Sequence, residues 1–74
     1  MKAKADVKQT ETYGVSVKFT DREIADLFDD FLTEKTSEHY TMRFDLDGVT
    51  FFLLSAVEIK LVEQLIERFE TDLA

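Results

Sequence analysis

Carboxylates are the one reactive group this sequence holds in quantity: sixteen Asp and Glu among 74 residues, against nine Lys and Arg, for a net charge of −7. Two carboxylates facing across a cleft can do acid–base work of the glycosidase kind. That chemistry needs a pocket, and a chain this short has little volume to build one. Nucleophilic catalysis needs an activated serine, cysteine or lysine beside a base, yet cysteine is absent and histidine occurs once. The histidine, His39, lies between Glu38 and Tyr40 at an expected strand start, where a solvated surface position is the simplest reading. Asp45-Leu46-Asp47-Gly48 has the opening of a calcium loop. Position 12 counted from Asp45 is Ala56, however, and Val49, Phe51 and Phe52 stand in the intervening loop, so the required oxygen ligands are missing. Without cysteine there is neither a disulfide nor a thiolate metal site, and no glycine-rich phosphate loop or dinucleotide fingerprint is present. The expectation is a non-enzymatic protein with no metal and no cofactor.

What the carboxylates can do is set by where they fall. Residues 21–35 hold six acids against Arg22 and Lys35. On a helix, Glu23, Asp26, Asp30 and Glu34 recur at i, i+3, i+7 and i+11 and form one outward row, with Asp29 beside it. Further on, Glu63, Glu67 and Glu70 form a ridge along one flank of a second helix. Neighbours in such rows stand about 4.5–6 Å apart along the axis and repel by a few tenths of a kcal/mol per pair. A surface of this sign disfavours nucleic acid and anionic membrane and favours a basic partner. In size, charge and lack of catalytic groups the chain is similar to small acidic phage-type inhibitors of DNA-binding proteins. That resemblance implies a DNA mimic, whose carboxylate rows stand in for phosphates on a basic, nucleic-acid-binding protein. The rival expectation is an adaptor that binds through an apolar sheet face or strand edge, its acids serving solubility alone.

The elements that must position these rows are readable from periodicity. Tyr13, Val15, Val17 and Phe19 alternate with Gly14, Ser16 and Lys18, which predicts a half-buried strand. Thr20-Asp21-Arg22-Glu23 reads as a capping box with Thr20 as the cap. The apolar stripe Ile24, Leu27, Phe28, Phe31 and Leu32 follows it, the pattern of an amphipathic helix. Tyr40, Met42, Phe44 and Leu46 alternate next, and Val49 to Leu54 form a third, more continuously apolar strand. Asp47-Gly48 between them predicts a two-residue type I′ turn, pairing Phe44 with Phe51 and Met42 with Leu53. A second capping box, Ser55 to Glu58, opens a helix whose stripe is Ile59, Val62, Leu65, Ile66, Phe69 and Leu73.

The β-α-β-β-α order predicts an α+β domain: a three-stranded antiparallel or mixed sheet, order 1-3-2, with both helices on one face. It resembles a ferredoxin-like fold lacking its last strand. Residues 13–74 are expected to form this single domain, and residues 1–12 an N-terminal arm or strand extension. The missing strand would leave the Tyr13–Phe19 edge open, to be covered by residues 5–12 folding back or by a second subunit. Phe52 and Leu54 are expected on the sheet face opposite the helices, a second apolar surface. These two features predict a homodimer, with Tyr13, Val15, Phe52 and Leu54 at its interface. No apolar run approaches the roughly 20 residues of a membrane span, and no secretion signal is visible near Met1. A cytoplasmic location is the default expectation.

Overall fold

The computed structural model describes residues 5–10, 14–54 and 58–73. The chain runs β1 (Ala5–Gln9), β2 (Val15–Phe19), α1 (Arg22–Lys35), β3 (Tyr40–Asp45), β4 (Gly48–Leu53) and α2 (Ile59–Leu73). The α+β class is as expected, but the sheet has four strands instead of three, in the order β1-β2-β4-β3. All neighbouring pairs are antiparallel. The added strand comes from the N-terminal segment. Ala5 and Val7 face the helices and pack against the core, while Asp6 and Lys8 are exposed. Gly14, immediately before β2, has φ 74°, a conformation that favours glycine. Its carbonyl accepts both the N–H and the hydroxyl of Thr10, at 2.7 and 2.8 Å. β1 therefore lies beside β2, where the ferredoxin-like pattern lacked a strand.

Val15, Val17 and Phe19 of β2 and Val49, Phe51 and Leu53 of β4 are buried on the helix-facing side. They meet Ala25, Phe28, Phe31 and Leu32 of α1 and Val62, Ile66 and Phe69 of α2 in one core. The buried stripe of α1 centres on Ala25, Phe28 and Leu32, and Leu27 turns out to be exposed. α1 lies against β2 and β4, and α2 reaches β1. Widening the sheet by β1 draws α2 to that side, and the hairpin end of β3 is left bare, with Phe44 63% exposed.

Two local expectations are corrected. The N-cap of α1 is Asp21, not Thr20: its carboxylate accepts the N–H groups of Glu23 at 2.9 Å and Ile24 at 3.4 Å. The β3–β4 turn is Leu46-Asp47, with Asp45 opposite Gly48, Phe44 opposite Val49 and Met42 opposite Phe51. Neither turn residue has positive φ, so the type I′ geometry is not used. The pairing slips by two residues from the expected register, which keeps every side chain on its face. A close approach accounts for the second correction. A Cβ placed on Gly48 would stand 2.2 Å from the Phe19 carbonyl oxygen and 3.1 Å from the Thr20 Cα. Gly48 is thus required inside the first pair of β4, where the chain leaving β2 passes over it. The second capping box, at Ser55 to Glu58, has its first three residues outside the described ones.

Gly48→Ala should cost about 2–4 kcal/mol, because the methyl group forces backbone apart. Urea denaturation of the two proteins checks this; an unchanged midpoint would contradict the close approach.

Candidate functional site

Helical rotation of about 100° per residue separates the faces of α1. Phe28 and Leu32 point into the core, while Glu23, Asp26, Asp30 and Glu34 lie on the far side and are exposed. None of these four side chains takes part in a hydrogen bond or ion pair among the described residues. The row was readable from spacing because the apolar stripe of α1 fixes which side faces outward.

Asp29 does not belong to that row. It turns toward β3, where its carboxylate accepts a hydrogen bond from the Tyr40 hydroxyl. The Thr33 hydroxyl lies 2.8 Å from the same phenol oxygen. Burial, then the hydrogen bond to Asp29, pushes the Tyr40 phenol above its ordinary value of 10.0. At the other end of the same face, the Arg22 guanidinium donates to the Asp45 carbonyl at 3.0 Å. Arg22, Asp29 and Thr33 thus strap α1 to β3 by polar contacts.

On α2, Glu63 and Glu67 are exposed and Glu70 is half-buried. Their ridge does not merge with the α1 row. A groove lined by Phe31, Lys35, Arg68, Thr71 and Asp72 runs between the helices, and the Arg68 guanidinium sits 5.9 Å from the Phe31 ring centre. Arg68 is about 140° around the helix from Glu63 and about 160° from Glu70. The glutamates therefore stand on the flank of α2 turned away from α1, with two cations between the rows.

The helix-free face of the sheet has the opposite character. The three ion pairs among the described residues lie there and at its hairpin: Asp6–Lys8 at 3.5 Å, Lys18–Asp47 at 2.7 Å and Arg43–Asp45 at 3.2 Å. The hydrogen bond between Lys18 and Asp47 raises the Lys18 ammonium and lowers the Asp47 carboxyl from their ordinary values. Asp45 and Asp47, the opening of the would-be calcium loop, thus each hold a basic side chain. Among the described residues no three His, Asp or Glu side chains converge as a metal site would need. No helix among them is long and apolar enough to cross a membrane.

The expected apolar interface is only partly at the surface. Val15 is fully buried, 0% exposed, and belongs to the core, because β1 covers the edge on which the expectation rested. Tyr13 lies outside the described residues. Phe52 is half-buried on the helix-free face, between Ser16 and Thr41 on the flanking strands, and Leu54 beyond it is 48% exposed. Sequence reasoning missed a second apolar group. Phe44 is 63% exposed, Leu46 stands free at the hairpin tip, and Met42 is half-buried. They alternate with the core period, the pattern of a helix-covered face. The weak alternation of Ala5 and Val7 was the signal that a fourth strand would leave the opposite edge bare. The chain matches no known protein family, no curated protein and no solved structure.

In a Tyr13→Phe background Tyr40 is the only tyrosine, and ultraviolet titration should show it ionising above pH 10.0, with Asp29→Asn moving it back toward that value. The native state holds this proton more tightly than the unfolded chain. Its contribution to stability is complete below pH 10.0 and is lost as pH rises through the native value. A midpoint at or below 10.0 would show that the strap is absent in solution.

Proposed function

We propose that the chain is a non-enzymatic, acidic interaction protein that binds a basic partner protein through the outward face of α1 and inhibits it. The observation that carries this reading is the contrast between the two faces. Among the described residues Glu23, Asp26, Asp30 and Glu34 stand exposed without counter-ions, whereas the acids of the sheet face and hairpin are paired within the chain. An unneutralised row projects a negative potential that steers a positively charged surface on to it.

The partner surface that fits is one built to hold nucleic acid. The α1 row spans about 16 Å with a carboxylate every 4.5–6 Å, against about 3.4 Å per phosphate along one DNA strand. It therefore supplies part of a strand's charge density over a length comparable to half a helical turn. Asp29 is engaged by Tyr40 and supports the face from beneath. Glu63, Glu67 and Glu70 would meet a partner only if it reached across the helix pair.

A second reading rests on Phe52 and Leu54. Beside Phe52 a shallow hollow is lined by Thr41, Met42 and Arg43, and an adaptor could hold an apolar partner side chain there. Such a complex would be nearly indifferent to salt and would be lost in Phe52→Ser.

The deciding experiment is a low-salt pull-down from host lysate, with captured proteins challenged by excess duplex DNA. A basic DNA-binding protein should be captured and displaced by the DNA. Binding should fall about tenfold or more as salt rises from about 0.05 to 0.5 M, where screening shortens to a few ångströms. The combined Asp26→Lys, Asp30→Lys and Glu34→Lys protein should capture nothing. Retention of the partner through high salt, or by the reversed protein, would overturn the acidic-face reading.

A further inference from the structure

We infer that two copies of this chain pair antiparallel along β3, joining their sheets across the exposed edge, with Met42 of one copy opposite Met42 of the other.

The edge is open in its backbone as well as its side chains. Among the described residues β3 pairs only with β4, and antiparallel hydrogen bonding alternates residue by residue. The Leu54 N–H donates to the His39 carbonyl at 3.1 Å. By that alternation the odd-numbered residues 39, 41, 43 and 45 turn their peptide groups to β4. Tyr40, Met42 and Phe44 turn theirs outward. These same residues carry side chains on the helix-facing side of the sheet, where Tyr40 and Met42 pack against the core and Phe44, beyond the margin of α1, is 63% exposed. Proteins blunt a free edge with charge, proline or a covering element. The other edge, β1, is blunted in this way by Asp6 and Lys8. β3 carries the pair Arg43 and Asp45 as well, but its outward-turned residues Tyr40, Met42 and Phe44 bear no charge.

Three lines of complementarity select a second copy as the occupant. First, the outward residues form a pattern symmetric about Met42, aromatic on either side. Pairing centred there places Tyr40 opposite Phe44 twice and satisfies every outward N–H and C=O of Tyr40, Met42 and Phe44 in both copies. Aromatic cross-strand pairs add to such a contact, and the Met42 sulfurs lie between the rings. Secondly, the strand carries one cation and one anion, Arg43 and Asp45, already 3.2 Å apart. Two copies of a chain with net charge −7 can meet here without opposing their acidic rows. Thirdly, the same register sets Asp45 of each copy opposite His39 of the other, a polar rim at both ends.

The two-fold axis of this pairing is perpendicular to the sheet, so both helix layers lie on one side of an eight-stranded sheet. The α1 helices then flank the joined β3 strands roughly 15–25 Å apart, counted in strand spacings. Their carboxylate rows run antiparallel on a single face. The pairing does not depend on the partner reading above.

The chain has no cysteine, so single-cysteine variants read the register directly. Facing residues of a hydrogen-bonded antiparallel pair have Cα atoms about 5.5 Å apart, within disulfide range. Under mild oxidation Met42→Cys should crosslink to a covalent dimer, and Phe44→Cys should not. Sedimentation should show a dimer for the unmodified chain. Phe44→Lys should weaken it by at least about thirtyfold, the loss typical of an interface anchor, while leaving the circular dichroism and thermal unfolding of the monomer intact. A monomer at all concentrations would overturn the proposal, as would a dimer indifferent to Phe44→Lys. Crosslinking through Phe44→Cys in place of Met42→Cys would overturn the register.

Discussion

Phe28 is the point on which the rest of this structure hangs. Its ring centre lies 4.9 Å from Phe19, 5.0 Å from Phe51 and 5.0 Å from Phe69, and it stacks on Phe31 at 6.2 Å. One side chain from α1 thus touches aromatic rings from β2, β4 and α2. A domain of this size buries only about 60% of its unfolded surface, and here neither disulfide nor thiolate-bound metal can add to it. Edge-to-face aromatic contacts contribute about 0.5–1.5 kcal/mol each beyond the area they bury. The cluster therefore concentrates a large share of the domain's cohesion in five phenylalanines.

Anchoring α1 over β2 and β4 has consequences on both of its sides. The face opposite Phe28 is turned to solvent, and Glu23, Asp26, Asp30 and Glu34 occupy it. The side toward β3 is left to polar contacts, Arg22 to the Asp45 carbonyl and Asp29 with Thr33 to the Tyr40 hydroxyl. These straps hold the helix at the strand's margin without covering it. The exposure of Phe44 and Leu46 thus follows from the position of α1, as does the outward presentation of the acidic row.

Charge is distributed with the same asymmetry. Lys18, Arg43 and Lys8 find carboxylates on the helix-free face or hairpin, and such exposed pairs contribute little to stability. Their effect is to neutralise that side of the molecule. The surplus negative charge of the described residues is left largely on the helices, where Arg68 and Lys35 separate the α2 ridge from the α1 row.

Sequence alone determined the α+β class, both helices, the three strands from Val15 onward and the outward acidic row of α1. Each of these rests on local periodicity, which a strong apolar stripe or alternation specifies without reference to the rest of the chain. Position relative to distant segments was decided by tertiary structure. Ala5 and Val7 are too small and too few to announce a strand, and they become one because the edge of β2 offers unpaired backbone. Gly48 reads as a turn glycine until the Phe19 carbonyl is seen against it. Asp29 differs from its acidic neighbours only because Tyr40, eleven residues away, reaches it. Phe44 carries the signature of a core residue, and it is exposed because two helices, one of them drawn toward β1, leave the hairpin end of β3 uncovered.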